Sequence, residues 1–338
     1  MIDLDIIIPA HEKDINTLEL CIAGAKKNIE GIKNVYVISK DKLTESAIWY
    51  PESKLPFSIK DVAKKIGAHW RTSWYYADLL EGCSSIYVDG PSDYTLILDA
   101  DTIFLRPVSL IEENDKGDRK VFLNTSASDG TTAYLEHISK LIPETTYINQ
   151  IEDQMLYNMQ LLGISGVTHW ILQEKCIVQE MIDRVEKYHD KPFWEAALDM
   201  TCQDYQTLPD DNNHETCPGR MASFELYFTY LLKFHRNKAI IRNLNSILCY
   251  KGSLGYPGYE RNDISRTNTV AGNREILNDE EKLELASTDF SSLSQAIEYV
   301  CNICRKKEWD TITLQGHFWE EMDNYKDILN NYSKENAT

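Results

Sequence analysis

The sequence lacks any apolar run of roughly 18 residues or more, the length that a membrane-spanning helix needs. It opens directly on a strand-like segment, without the charged and apolar regions that mark a secretory signal. We therefore expect a soluble, cytoplasmic protein with no integral membrane segment.

Positive charge is also scarce: 35 Lys and Arg residues stand against 53 Asp and Glu residues, and the net charge is −18. A protein that binds nucleic acid needs a positive face for the phosphates, so we expect no nucleic-acid partner. A single nucleotide is a smaller ligand, and local compensation of its charge is enough to bind it.

The eight cysteines show no regular spacing, which favours reduced, buried thiols over a disulfide framework. One pair, Cys301 and Cys304, is spaced like zinc ligands, but a structural zinc ion takes four ligands and no second close pair follows. A looser cluster contains Cys202, His214 and Cys217. For both groups we favour ordinary structural residues, with a zinc site as the alternative.

The order of apolar segments near the amino terminus is typical of an α/β fold. Residues 4–8 are a β-branched run, apolar side chains recur at helical spacing between residues 18 and 29, and residues 35–39 are again apolar. Strand, helix and strand in succession predict a βαβ unit. Pro9, Ala10 and His11 break the first strand at its carboxyl end, the edge at which α/β sheets bind nucleotides.

Two carboxylates follow a later apolar run. Residues 95–98 predict a strand buried on both faces, and Asp99 and Asp101 come directly after it, separated by Ala100. If the chain stays extended, both carboxylates lie on the same side. Two oxygen ligands at a strand end suit Mg²⁺ or Mn²⁺. The alternative is that Asp-x-Asp forms only a turn or a helix cap.

The segment LILDADTIFLRP resembles the DxD motif of GT-A fold glycosyltransferases. The resemblance implies a Rossmann-like, mixed and mainly parallel sheet flanked by helices, with a helical C-terminal extension. It also implies that the segment from Asp99 to Asp101 holds Mn²⁺ or Mg²⁺ against the diphosphate of a nucleotide sugar. The opening LDIIIPAHEKD resembles the nucleotide-contacting loop of these enzymes, which puts Pro9, Ala10 and His11 at the donor. His317, after a predicted late strand at residues 311–314, resembles their third metal ligand.

Two further segments, GVTHWIL and SFELYFTYLLKFH, resemble a bacterial and viral subgroup of GT-A-like proteins known mainly as a domain of unknown function. His169 and Trp170 lie in the first segment, in a turn that follows a glycine, and we interpret them as acceptor-binding residues. A purely structural histidine is the alternative. The subgroup makes a bacterial or viral origin the natural expectation.

Three charged residues complete the predicted site. Arg71, in an aromatic segment at residues 70–80, offers a positive charge to a diphosphate, unless this segment is an ordinary core helix. A helix is predicted at residues 221–232, with Ser223 as its N-cap and Glu225 in its first turn. Glu225 either complements the helix dipole or acts on the acceptor. Glu225 is our first candidate for a general base, and Asp153 is the second.

We expect one catalytic domain at residues 1–250, with a nucleotide-binding half at about 1–125 and an acceptor half at about 126–250. Residues 251–338 are predicted to add a mobile loop, C-terminal helices and the late strand that carries the metal ligand. Residues 42–57 are expected to form a loop, because they contain prolines and show no sustained period.

The predicted function is metal-dependent transfer of a sugar from a nucleoside diphosphate sugar to a hydroxyl of a glycan or another acceptor. The resemblance implies UDP as the nucleoside diphosphate. An inverting reaction with a carboxylate base is favoured, although IEDQMLYN and QGHFW resemble retaining glycogenin-type enzymes. One alternative is a nucleotidyltransferase, but the loop PAHEKDINT lacks the glycines of a phosphate-binding loop. The other is a non-catalytic protein that binds a sugar or a nucleotide.

Overall fold

The structure is a computed structural model that describes residues 2–66, 72–127, 131–145, 164–201, 221–243, 246–250, 306 and 308–315. Several predictions fall outside these residues: those on Arg71, Asp153 and His317, both cysteine groups with zinc-like spacing, and the C-terminal loop and helices.

The described chain contains both strands and helices. The strands are β1 (Leu4–Pro9), β2 (Ile32–Ser39), β3 (Ile48–Pro51), β4 (Tyr94–Leu98), β5 (Thr102–Phe104), β6 (Ile111–Glu113), β7 (Arg119–Ala127), β8 (Ile164–Ser165), β9 (Trp170–Glu174), β10 (Ala239–Asn243), β11 (Ser246–Tyr250) and β12 (Thr311–Gln315). The helices are α1 (Ile15–Asn28), α2 (Ile59–Ile66), α3 (Thr72–Tyr87), α4 (Thr131–Leu141), α5 (Lys175–His189), α6 (Phe193–Asp199) and α7 (Ser223–Phe234).

The central sheet has five strands in the order β3-β2-β1-β4-β9. The first four run parallel, and β9 pairs antiparallel with β4. This arrangement confirms the predicted mixed α/β fold with a mainly parallel sheet. The β-branched run of β1 lies in the middle of the sheet, and its side chains are buried up to Ile8, because a central parallel strand is covered on both faces.

Two smaller sheets extend the fold beyond the central one. One has the order β10-β7-β6, with β8 added to β7, and the other has the order β11-β12-β5. β5 begins at the residue after Asp101, so the two acids lie where the chain passes from the central sheet to the sheet that contains β12. The hydroxyl oxygens of Thr102 and Thr313 lie 2.8 Å apart across the β5–β12 pair.

Helices cover the sheets through apolar faces. α3 packs against β1 and β4, and also against α2, α5 and α7. The sequence also predicts a short helix at residues 59–66 and, from the apolar spacing of Val178, Met181, Ile182 and Val185, a second helix; α2 and α5 confirm both. α1 and α7 confirm the helices predicted from the spacing at residues 18–29 and at residues 221–232. None of the helices in the described residues combines the length and the apolar content that crossing a membrane requires.

The prediction of a continuous loop at residues 42–57 is wrong, because this segment contains β3. β3 is an edge strand whose Ile48 and Trp49 side chains are 47% and 38% exposed. Pro51 ends the strand, and an edge strand tolerates proline because one side needs no hydrogen bonds. Proline in this segment therefore lies at the end of a short strand, and does not show that the whole segment is a loop.

Candidate active site

The candidate site lies at the edge of the central sheet where β1, β2 and β4 end. Since β9 runs antiparallel to β4, its amino end reaches the same edge. His11 follows β1, Asp99 follows β4, and His169 directly precedes β9. The topology thus joins three segments that are far apart in the sequence, at the edge where ligands of α/β sheets bind.

The two acids lie on a tight turn. The amide of Thr102 donates a hydrogen bond of 3.1 Å to the carbonyl of Asp99, so the prediction of an extended chain from Asp99 to Asp101 is wrong. The chain turns here because β5 leaves the central sheet to pair with β12. Ala100 lies buried within the turn. The two carboxyl groups remain close enough for the charge of Asp99 to raise the pKa of Asp101.

Asp99 is joined to His169 by two hydrogen bonds. The ring Nδ1 of His169 lies 2.9 Å from Oδ2 of Asp99, and the Asp99 amide donates a bond of 3.0 Å to the carbonyl of His169. Burial alone would lower the pKa of His169, but the hydrogen bond to Asp99 and its charge outweigh burial and raise it. The side chain is 10% exposed, and its Nε2 atom has no hydrogen-bond partner among the described residues.

Asp101 also has an unsatisfied atom. Its Oδ1 is buried and has no hydrogen-bond partner in the described part of the chain. Burial, followed by the charge of Asp99, raises the pKa of Asp101 to about 7. A buried carboxyl oxygen without a donor is costly unless a cation or a proton satisfies it. This oxygen fits the donor set of a divalent ion.

Two more acids, which the sequence did not single out, lie on α3. Asp78 is 6% exposed, accepts a hydrogen bond of 2.9 Å from the Ser223 amide through Oδ1, and leaves Oδ2 without a partner in the described residues. Burial raises the pKa of Asp78 to about 7. Burial and the charges of Asp99, Asp78 and Asp101 raise the pKa of Glu81. The signal available in the sequence was a pair of acids inside an apolar helix ahead of the acidic turn.

The loop after β1 is held at the same edge. The Ala10 amide donates to the carbonyl of Ile38 at 2.9 Å, and the His11 amide donates to Asp14 Oδ2 at 2.9 Å. His11 is exposed, and its Nδ1 accepts a bond of 3.3 Å from the Lys13 amide. Burial raises the pKa of Asp14, and the charge of Asp99 adds to this shift. The contacts of Pro9, Ala10 and His11 with a nucleotide stay a prediction.

Trp170 has the surroundings of a core residue. Its side chain is 1% exposed, and its ring centroid lies 5.1 Å from that of Phe104. The guanidinium of Arg242 lies 5.9 Å from the Trp170 ring. These interactions belong to the packing between β9, β5 and β10. They do not test the prediction that Trp170 binds an acceptor, which stays a prediction.

Glu225 lies inside the protein, in the first turn of α7. Its side chain is 2% exposed and accepts hydrogen bonds from the Ser165 hydroxyl at 2.5 Å and the Gly166 amide at 2.6 Å. The prediction that Ser223 is the N-cap of this helix is wrong, because Ala222 occupies that position. The Ser223 hydroxyl donates instead to the carbonyl of Asp78, and the Asp78 carboxylate accepts from the Ser223 amide.

In the part of the chain that the structure describes, no group of three or more His, Cys, Asp or Glu side chains has the arrangement of a metal centre. The predicted ligands Asp99 and Asp101 are both described, whereas the third, His317, lies outside the described residues.

No protein-family model and no curated protein sequence matches the chain. A solved structure of the galactosyltransferase LgtC, in complex with donor and acceptor sugar analogues, is 10% identical over 99% of this chain and 97% of its own, with a TM-score of 0.35. The apo form of mouse xyloside xylosyltransferase 1 is 10% identical over 76% of this chain and 91% of its own, with a TM-score of 0.37. Similarity at this level carries no argument about activity, so the function is inferred from the site itself.

Proposed function

We propose that the protein is a metal-dependent glycosyltransferase that uses a nucleoside diphosphate sugar, with UDP as the first nucleotide to test. The observation that carries this proposal is the acidic turn at the carboxyl end of β4, in which Asp101 Oδ1 is buried and has no hydrogen-bond partner among the described residues. A fold does not need such an atom for its own stability, since burying an unpaired carboxyl oxygen costs free energy. A ligand-binding role accounts for it.

Asp101 and Asp99 would hold Mn²⁺ or Mg²⁺, and His317 is the candidate third ligand. Thr313 pairs with Thr102, the residue after Asp101, and β12 runs antiparallel to β5, so β12 is directed towards the acidic turn. His317 follows Thr313 by four residues, a stretch that reaches at most about 14 Å. A bound divalent ion supplies a Lewis acid that offsets the negative charge growing on the leaving diphosphate.

The chain's own residues orient the donor and hold the acids in place. The His169 ring fixes one oxygen of Asp99, and the backbone bond between these residues extends the β4–β9 pairing up to the acidic turn. The loop of Pro9, Ala10 and His11 is the proposed contact for the nucleotide, and Arg71 is the proposed contact for its diphosphate. Holding reactants in the reacting geometry is itself a large part of catalysis.

Bond cleavage at the anomeric carbon has oxocarbenium character, as in glycoside hydrolysis. An inverting enzyme also needs a base that takes the proton of the acceptor hydroxyl, a contribution of roughly 10²- to 10⁴-fold. Asp153 is one candidate for this base. Glu225 is the other, and its Oε2 already accepts hydrogen bonds from the Ser165 hydroxyl and the Gly166 amide.

Release of nucleoside diphosphate tests the proposal. The purified chain is incubated with UDP-glucose, UDP-galactose, UDP-N-acetylglucosamine and their GDP and CDP counterparts, with Mn²⁺ or with EDTA. We expect Mn²⁺-dependent release from one donor, with water taking the sugar in place of the unidentified acceptor, and loss of this release in Asp101→Ala with the fold intact. Release of pyrophosphate from a nucleoside triphosphate and a sugar phosphate would instead identify a nucleotidyltransferase.

A further inference from the structure

We propose that Glu225 is a positioning residue, which fixes the turn that carries His169 and does not itself take a proton from the acceptor. The proposal rests on the proposed function in so far as it assigns His169 and Asp99 to the active site.

The first argument is the set of contacts that Glu225 makes. Oε2 accepts hydrogen bonds from the Ser165 hydroxyl and the Gly166 amide at 2.5 and 2.6 Å, and Oε1 lies 3.4 Å from the Thr229 hydroxyl. The side chain is 2% exposed. A general base must present a free oxygen within hydrogen-bond reach of the substrate hydroxyl. The better-placed oxygen of Glu225 is already used by two donors from the turn.

The second argument is the packing of the turn against α7. A Cβ atom on Gly166 would lie 2.3 Å from Cβ and Cγ of Phe228, so there is no space for a side chain at this position. Phe228 and Glu225 lie one helical turn apart on α7. The helix therefore holds the turn by a close apolar contact and by a carboxylate that satisfies its backbone amide.

The third argument is the path from this turn to the acidic residues. The Ser165 hydroxyl also accepts a bond of 3.1 Å from the Val167 amide, and His169 follows two residues later. His169 then binds Asp99 through both its ring and its carbonyl. A displacement of the turn would therefore move the histidine that orients Asp99.

The substitutions Glu225→Gln and Glu225→Ala separate the two roles. The Gln amide oxygen can accept the bonds from Ser165 and Gly166, and its nitrogen can donate to Thr229, but an amide cannot act as a base. A positioning role predicts near wild-type transfer for Glu225→Gln. It predicts a loss of about 100-fold in kcat for Glu225→Ala, comparable with the effect of misplacing a reacting group by about 1 Å.

Asp5 provides a matched control at the opposite end of β1. It is fully buried, and its carboxylate accepts a bond of 2.5 Å from the Ser92 amide and one of 3.0 Å from the Asn34 side chain. Asp5→Asn and Asp5→Ala therefore disturb a similar buried carboxylate without touching the turn. We expect both controls to keep the wild-type kcat at temperatures where they are folded.

A readout without substrate keeps this proposal separate from the proposed function. The ring ¹⁵N resonances of His169, assigned with His169→Gln, report its hydrogen bond to Asp99. We expect them to be unchanged in Glu225→Gln and in both Asp5 variants, and to shift in Glu225→Ala. If Glu225→Ala does not fold, Ser165→Ala removes one of the two short bonds and should give a smaller shift in the same direction.

Two results would overturn the positioning role. One is a loss of 100-fold or more in transfer by Glu225→Gln with unchanged His169 resonances, which identifies Glu225 as the base. The other is an unchanged His169 resonance in folded Glu225→Ala, or in Ser165→Ala where that variant replaces it. Absence of transfer by the wild-type chain with every donor would count against the proposed function alone, since the resonances still decide the positioning role.

Discussion

Asp101 carries an electrostatic cost that its contacts within the described residues do not offset. Its Oδ1 is buried without a hydrogen-bond donor in the described residues, and burial together with the charge of Asp99 raises its pKa to about 7. A stabilised fold would replace such a group with a neutral one, whereas a cation site requires it. Asp101 is therefore expected to lower the stability of the metal-free protein and to be needed for cation binding, and both effects can be measured.

Replacing Asp101 with Asn should stabilise the protein in EDTA at pH 8 and abolish its response to Mn²⁺. Each pKa unit that is removed is worth about 1.4 kcal/mol, which corresponds to about 2 °C in the melting temperature of a chain of this size. Thermal melts of wild type and variant, with and without Mn²⁺, measure both effects. A variant that melts well below wild type and still responds to Mn²⁺ would contradict this role.

The stability difference between Asp101→Asn and wild type in EDTA should depend on pH, because the pKa of Asp101 is raised. A carboxyl whose pKa is higher in the folded state stabilises the fold fully below its unfolded pKa of 3.8 and loses that contribution as the pH rises through about 7. The advantage of Asp101→Asn in EDTA should therefore grow between about pH 5 and pH 8. Melting curves at four pH values test this, and a constant difference would show that Asp101 does not titrate in this range.

Mn²⁺ binding to the wild type should tighten over the same pH range, because the ion displaces the proton from Asp101. The affinity should rise by at most about tenfold per pH unit while one proton is displaced. Titration calorimetry in two buffers of different ionisation enthalpy measures the released protons directly. An affinity that does not depend on pH would place the ion elsewhere.

At the scale of elements, the amino end of α7 is held from two sides. Asp78 on α3 accepts the Ser223 amide, while Glu225 inside α7 reaches back to the turn before β9. Helix amino ends have unpaired amides that a carboxylate can satisfy. Here the cap comes from Asp78 on α3, and Glu225 of α7 accepts from the turn before β9, so α7 connects α3 to the turn that carries His169.

Asp78→Ala should destabilise the fold by about 1–2 kcal/mol through loss of this cap. Asp78→Asn should retain most of the stability, because its amide oxygen still accepts from the Ser223 amide. Urea denaturation of the three proteins measures the difference. Equal destabilisation by Asn and Ala would show that the charge, and not the hydrogen bond, stabilises this contact.

Gly166→Ala should destabilise the fold because the added methyl group would overlap Phe228. Overpacking of this kind costs roughly 1–3 kcal/mol. The same denaturation experiment measures it, with Gly117→Ala as a comparison. Gly117 has space for a methyl group but a positive φ of 82°, so its cost is one of backbone strain only. A neutral effect at Gly166 would mean that the turn can move away from α7.

Periodicity predicted several of the strands and helices, because a helix or strand buried on one face shows its spacing locally. Apolar spacing at Val178, Met181, Ile182 and Val185 indicated α5, and the run before Asp99 indicated β4. The bond between Asp99 and His169 spans 70 residues, and that between Glu225 and Ser165 spans 60. These partners come together through the order and direction of the strands in the sheet, which local spacing does not encode. The sequence therefore indicated His169 and Glu225 as candidate site residues but did not indicate their hydrogen-bond partners.

On the scale of the whole molecule, the direction of β9 assembles the site. Had β9 been parallel to β4, His169 would lie at the opposite edge of the sheet from Asp99. The antiparallel pairing brings its amino end beside the acidic turn, and β5 then leads from that turn to β12. A chain with a net charge of −18 collects several acids at this edge, which favours a cation there; the proposed diphosphate, itself an anion, would need that cation in order to bind.

The most direct test of the central claim is a thermal-shift panel of UDP, GDP, CDP and their common sugars, each with and without Mn²⁺, on wild type and Asp101→Asn. A ligand at 100 times its dissociation constant stabilises the folded state by about 2.7 kcal/mol. We predict a shift of several degrees from one nucleotide, present only with Mn²⁺ and absent in the variant. A shift that is equal in the variant, or no shift from any nucleotide, would contradict a metal-dependent donor site at Asp99 and Asp101.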